Sequence, residues 1–188
     1  MGQAIAQHAP ADKTHYMILR PAQPADAAAL AELGRGSFCA AFAHLYAPGD
    51  LNRFLQEVYS VEVVSAEIAD PACTYRLAED AEGAGLTGYA KLIDPSPYAE
   101  HSTASRAIAL GQLYCDPARI GEGIGTALLE WALEEAQGRG KDAVQLSVWN
   151  ANYGAQRFYQ RYGFARIADI HFMVGTHRDD EFLYELRL

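Results

Sequence analysis

A chain of 188 residues, half of them hydrophobic, fits one soluble domain with room for a sizeable core. No apolar run approaches the ~18 residues of a membrane span. A formal net charge of −9 argues against nucleic-acid binding, which shows a basic surface. Cys39, Cys73 and Cys115 are odd in number and lack ligand-spaced histidines. They point to a reducing, cytoplasmic setting without disulfides or a metal.

Met1 to Asp12 carry no Lys or Arg and no apolar run, so they read as a loose arm (residues 1–14) rather than a signal peptide, ahead of a single domain over 15–188. Tyr16 to Arg20 form a first strand, stopped by Pro21. Pro24 to Leu33 is a helix with proline in its first turn, and Gly34 and Gly36 interrupt it before Ser37 to Tyr46. A second helix runs from Leu51 to about Ala69, with Asp50 as its expected N-cap. Thr74 to Ala78 and Leu86 to Ile93 read as paired strands around an acidic turn from Glu79 to Gly85. A polar connection over 94–105 leads to a central strand, Ala107 to Cys115.

Asp116-Pro117 stop that strand, and Gly121, Gly123 and Gly125 open an amphipathic helix reaching about Gln137. Its residues Ile124, Ala127, Leu128 and Trp131 fall at helical spacing, so one face packs onto a sheet. Glycines at a strand–helix junction let a ligand approach the backbone, and the unpaired N–H groups at the helix start suit an anion. A Walker loop would need a lysine before the hydroxyl of Thr126, and a dinucleotide fingerprint would need glycine at that position. Ala143 to Val148 is the next strand. A helix from Asn152, a natural N-cap, to Tyr162 follows, and Gly163 closes it. Phe164 to Val174 and Glu181 to Leu188 are the closing strands.

The glycine run resembles the acetyl-CoA pyrophosphate loop of the GNAT superfamily of N-acetyltransferases, whose pattern is Arg/Gln-x-x-Gly-x-Gly/Ala. Gly123 and Gly125 match its glycine places, whereas Ile120 replaces the first residue and Arg119 lies beside it. Asn152, Ala155, Phe158, Tyr159, Gly163 and Phe164 resemble the later GNAT motif, Asn-x-x-Ala-x-x-Phe-Tyr with a closing Gly-Phe. The resemblance implies an α/β (α+β) fold: a mixed sheet of about seven strands, splayed at its centre and flanked by about four helices. The scattered Ser37-Phe38, Phe42, Pro48, Phe54-Leu55, His171-Phe172, Gly175 and Asp179-Asp180 are similar to the bacterial Pai-type diamine and polyamine N-acetyltransferases.

The same resemblance implies transfer of an acetyl group from acetyl-CoA to a primary amine. Gly121, Glu122, Gly123, Ile124, Gly125 and Thr126 would hold the pyrophosphate, mainly through backbone N–H groups. Leu113, Tyr114 and Cys115 would run beside the pantetheine arm, and Asn152 and Arg161 would contact CoA, with Arg157 also facing its phosphates. Tyr159 stands where the superfamily places the acid that protonates the thiolate. Phe38, Phe42, Tyr46, Tyr89 and His171 are the candidates around a small amine, and the acidic surface suits a cation but also simple solubility. Many relatives carry a glutamate base on the central strand, but here Gly111 and Gln112 occupy those places; His44, Glu79, Asp80 and His171 are possible substitutes, and the base is left open. A Cys–His–Asp enzyme built on Cys115 finds no supporting residues around it. A protein N-terminal or lysine acetyltransferase, a CoA-binding sensor and a homodimer remain open.

Overall fold

The computed structural model describes residues 17–80 and 85–188; the N-terminal arm and part of the acidic turn lie outside the described residues. Among the described residues seven strands form one sheet: β1 (Met17–Pro21), β2 (Cys73–Asp80), β3 (Leu86–Ile93), β4 (Ala107–Cys115), β5 (Ala143–Trp149), β6 (Ala165–Val174) and β7 (His177–Arg187). Their spatial order is β1-β2-β3-β4-β5-β7-β6. All neighbours are antiparallel except β4 and β5, which run parallel. That parallel pairing covers only Ala107↔Ala143 to Ala109↔Gln145, although β4 continues to Cys115 and β5 to Trp149. The sheet is therefore splayed at its centre, which leaves unpaired backbone on both strands facing a gap.

Strand alternation sorts the core into two layers. Ala78, Ala90 and Ile108 face α4 (Ile124–Gly138), where Leu128, Leu129 and Ala132 are sealed from solvent. Leu77 and Tyr89, one residue out of step with Ala78 and Ala90, face the other way onto α1 (Ala27–Phe42) and α3 (Val61–Ala69). A third cluster joins Phe38 of α1, Phe54 and Tyr59 of α2 (Pro48–Tyr59), and Val174 of β6. The last helix, α5 (Tyr153–Arg161), sits beside the splay, and its N-cap Asn152 accepts from the N–H of Ala155 at 3.0 Å.

Three helix expectations are corrected. Gly34 and Gly36 do not interrupt α1, which runs through both. A Cβ on Gly34 would lie 2.7 Å from the Tyr59 ring and 2.8 Å from the Tyr89 hydroxyl, so that glycine is a packing requirement and not a breaker. The helix read as continuous to Ala69 is two helices, because Ser60 is extended and its hydroxyl caps α3 by accepting from Val63 N–H at 3.3 Å. Asp50 is not the cap of α2. Ala47 holds that place with Pro48 at the first helical position, and Asp50 instead accepts from Thr176 at the β6–β7 turn. The closing strand β7 starts at His177, four residues before Glu181, because that turn is tight at Gly175 (φ +58°). Asp179 and Glu181 thereby fall on one strand.

Candidate active site

Two cavities meet at the splay. The first, about 750 Å³, runs from the start of α4 to the start of α5. Gly121 (φ +95°) and Gly123 (φ +84°) hold left-handed backbone there, which L side chains adopt at a cost; Gly123 is the N-cap of α4. Among the described residues, and apart from its two chain neighbours, nothing lies within 4 Å of the place a Cβ would take on either glycine. The backbone N–H groups at the helix start, with the positive end of its dipole, offer an anion a ready site. Leu113, Tyr114, Cys115, Ile124, Gly125, Thr126, Asn152, Tyr159 and Arg161 also line this cleft, which brings together nearly all the residues expected to hold CoA. Glu122 does not line it. Its carboxylate accepts from Arg119 Nε at 2.5 Å, and Arg119 also reaches Asp80 at 3.2 Å. Arg119 does line the cleft, but its guanidinium is thus held by two carboxylates, and Ile120, 77 % exposed, takes the place of the superfamily's first loop residue. Arg157 is exposed and outside the cleft.

The second cavity, about 360 Å³, lies on the α1–α2 face of the sheet. Phe38, Phe42 and Tyr46 wall it as expected, and Phe38 packs on Phe42, Phe54 and Tyr59 at centroid distances of 5.2, 4.7 and 5.8 Å. Two expectations fail here. Tyr89 is completely buried beneath Tyr114, 5.7 Å away ring to ring, and donates to Gln112 Oε1 at 3.1 Å; it backs the wall without reaching the cavity. His171 pairs with Asp180 on the opposite face of the β6–β7 ribbon and is exposed, whereas its neighbour Phe172 pairs with Asp179 and lines the cavity. A shift of one residue along a strand reverses the face. His44, Glu79 and Asp80 do not line the cavity either.

Two carboxylates outside the expected site residues complete this cavity. Asp179 and Glu181 alternate along β7 onto the same face. Asp179 is buried and accepts from the Tyr46 hydroxyl at 2.5 Å, with His177 Nε2 at 3.2 Å. Glu181 is hydrogen-bonded to Ser147 of β5, and burial first, then nearby Asp179, pushes its carboxyl above the usual range. The available signal was Asp179-x-Glu181, two acids two apart before an apolar strand end. Lys91, also on the cavity wall, is neutralised by Glu67 at 2.9 Å.

Tyr159 lines both cavities, and so do Phe42, Leu113, Tyr114, Asn152 and Ala155. Its ring packs on Phe158 and Phe164 at 5.2 and 5.7 Å. Burial holds the phenol well above the ordinary tyrosine value. Cys115 shares the cleft, and burial pushes its thiol up to about 11 although the Gly125 N–H aims at the sulfur.

A family model for the acetyltransferase (GNAT) family matches residues 40–164, two thirds of the chain and both glycine-loop and Asn152 motifs. The chain belongs to the GNAT family of acetyltransferases. Acetyl-CoA is the acyl donor of that family, and the glycine cradle at α4 fits it. The chain is 27 % identical, over 83 % of its length and 88 % of the relative's, to an uncharacterized N-acetyltransferase from the pepI 3′ region of Lactobacillus delbrueckii subsp. lactis. Its fold is similar to that of the PaiA N-acetyltransferase of Thermoplasma acidophilum, solved in complex with coenzyme A, with a TM-score of 0.73, 22 % identity, and coverage of 92 % of this chain and 99 % of that one. An N-acetyltransferase from Staphylococcus aureus aligns with a TM-score of 0.69 at 17 % identity, covering 92 % of this chain and 98 % of that one.

Proposed function

We propose that this acetyltransferase moves the acetyl group of acetyl-CoA directly onto a small primary alkylamine, with polyamines the first candidates. The supporting observation is the junction of the two cavities at Tyr159: a phosphate-suited cleft on one side, and an aromatic pocket with two carboxylates on the other. In this reading Gly121, Gly123, Gly125 and Thr126 hold the pyrophosphate, and the free edge of β4 at Leu113–Cys115 runs beside the pantetheine arm. Phe38, Phe42 and Tyr46 surround the acceptor's alkyl chain, where a ring facing a desolvated cation contributes about 0.5–2 kcal/mol.

Tyr159 protonates the departing thiolate. A phenol raised by burial is a weak acid, so transfer to a thiolate in water would be uphill. The thiolate leaves into the same cleft, however, and Cys115 shows what that cleft does to sulfur: its thiol is pushed up to about 11. Burial that raises the phenol would raise a thiol leaving into the same cleft in the same direction. Three free cysteines suit a reducing compartment, and we place the protein in the cytoplasm. Among the described residues no helix is long and apolar enough to cross a membrane.

The test is calorimetric titration with acetyl-CoA followed by a thiol-release screen against spermidine, putrescine, amino acids, aminoglycosides and short peptides. Acetylation of the polyamines is expected. Acetylation of peptides alone would replace the small-amine reading with a protein acetyltransferase, and binding without any transfer would leave a CoA sensor.

A further inference from the structure

The superfamily's usual carboxylate on β4 is missing at Gly111 and Gln112, so the acceptor's proton needs another destination. We propose that Glu181 of β7 is the catalytic base, taking a proton from an alkylammonium acceptor held beside it in the aromatic cavity. This rests on the acetyl-CoA-to-amine transfer proposed above and assigns the remaining chemical role of that site.

Four observations lead to it. Glu181 lines the same cavity as Tyr159, so both ends of the proton path open onto one space. Asp179, its neighbour on that face, is already engaged by Tyr46 at 2.5 Å and His177 at 3.2 Å, which leaves Glu181 as the carboxylate available to a ligand. The partner of Glu181 is the Ser147 hydroxyl, which also bonds Tyr98, and among the described residues no cation pairs with it. A half-buried carboxylate in an aromatic pocket, served by a hydroxyl and not by a cation, suits a cationic ligand. Lastly, Lys91, the cation on the wall of that cavity, is tied to Glu67 at 2.9 Å and does not compete.

The groups facing Glu181 are Asp179 on its own strand, Ser147 on β5, Tyr114 on β4, Tyr46 after α1 and Tyr98 in the β3–β4 connection. The tyrosines stay neutral at physiological pH. Asp179 is the anionic neighbour, and it acts together with burial to raise the Glu181 carboxyl, which brings it closer to the working pH of a base.

The acceptor R–NH3+ gives one proton to a Glu181 carboxylate oxygen, and the freed lone pair attacks the thioester carbonyl carbon, forming the C–N bond. The C–S bond breaks, the thiolate takes the Tyr159 hydroxyl proton, and the phenolate so formed takes the surplus proton from the amide nitrogen. Glu181 returns its proton to solvent when the amide leaves.

The test compares wild type, E181Q and E181D with acetyl-CoA and either putrescine or n-butylamine, following thiol release from pH 5 to 9. The wild-type rate should fall towards acid as Glu181 protonates. E181Q should lower kcat/KM by about 10²–10⁴-fold and lose that acid limb, while acetyl-CoA affinity is unchanged and E181D recovers part of the rate together with the limb. Activity of E181Q within threefold of wild type, or an acid limb that survives the substitution, overturns the role of Glu181 while amine acetylation by the wild type stands. A wild type that binds acetyl-CoA but acetylates neither amine overturns both this role and the small-amine reading. If E181Q is inactive and melts at a lower temperature than wild type, E181D decides: an acid limb regained supports the base, and a rate without one overturns it.

Discussion

Tyr159→Phe separates the acid from the core residue, because the two roles depend on different atoms of one side chain. The ring is what packs, against Phe158 at 5.2 Å and Phe164 at 5.7 Å, and phenylalanine keeps both contacts. The hydroxyl makes no hydrogen bond among the described residues, and it opens onto the cavities instead of being sealed off. Its removal therefore sacrifices none of the ~1 kcal/mol that a satisfied hydrogen bond contributes, and stability should change by less than about that amount. Truncation to alanine, by contrast, would cost about 3–5 kcal/mol and confuse folding with chemistry. General acids supply about 10²–10⁴ in rate, so kcat should fall by at least ~10²-fold, equivalent to about 2.7 kcal/mol of barrier. The assay is thiol release from saturating acetyl-CoA with putrescine, beside calorimetric affinity for CoA, which should stay within twofold. Because burial keeps the phenol protonated, the wild type should show no loss of this acid at pH 9. A kcat within threefold of wild type refutes the reasoning and returns Tyr159 to the core.

Three further outcomes follow from the geometry. Gly125→Val should fold, since a Cβ there meets only Cys115 Sγ at an ordinary 3.6 Å, yet weaken CoA binding at least ~10-fold in calorimetry because the side chain enters the cradle. Gly34→Val should lower the unfolding free energy by about 1–3 kcal/mol, measured by denaturant titration, as its Cβ would press on Tyr59 and Tyr89 and displace the cavity wall. Arg20 forks onto Asp26 at 2.7 Å and reaches Glu79 at 2.6 Å, which holds both carboxyls below their usual values. The stability from those carboxylates is complete above the ordinary range near pH 4 and is lost as pH falls through the lowered values, so Arg20→Leu should flatten the acid end of a stability–pH profile.

What could be read from the sequence depended on how local its cause was. Leu86–Ile93 came out with its observed limits, because a β-rich run bounded by a polar turn and Asp94-Pro95 needs no partner to be recognised. Gly121, Gly123 and Gly125 marked the cradle, and Asn152 marked the start of α5, since backbone sign and capping are nearest-neighbour effects. The misjudged features have distant causes. Gly34 looked like a breaker until Tyr59 and Tyr89, far along the chain, were seen to pack on it. Tyr89 and His171 are aromatic and in the right strands, but one is under the cavity wall and the other is on the wrong face. A strand expected from Glu181 omits the first four residues of β7, and with them the alternation of Glu181 with Asp179 and His177.

The position of the carboxylate follows from what stands across the sheet. Gln112 pairs with Lys91 on β3, so a glutamate at 112 would face a buried lysine one strand away. Lys91 is already paired with Glu67 at 2.9 Å, so a carboxylate there would stand beside an existing ion pair. A Cβ at position 111 would lie 2.7 Å from Ile93 Cδ1, so a side chain there would displace that methyl. Glu181 meets different conditions: burial and the neighbouring Asp179 raise its carboxyl, against the hydrogen bond to Ser147, which lowers it. A raised carboxyl lowers stability at neutral pH, since the folded state binds the proton more tightly than the unfolded chain does and that preference goes unmet above its pKa. E181Q should therefore unfold at an equal or higher temperature than wild type at pH 7, with the advantage shrinking as pH falls towards 4. A thermal-unfolding series in which E181Q is less stable at every pH would mean that Glu181 is held by favourable contacts and not poised for a proton.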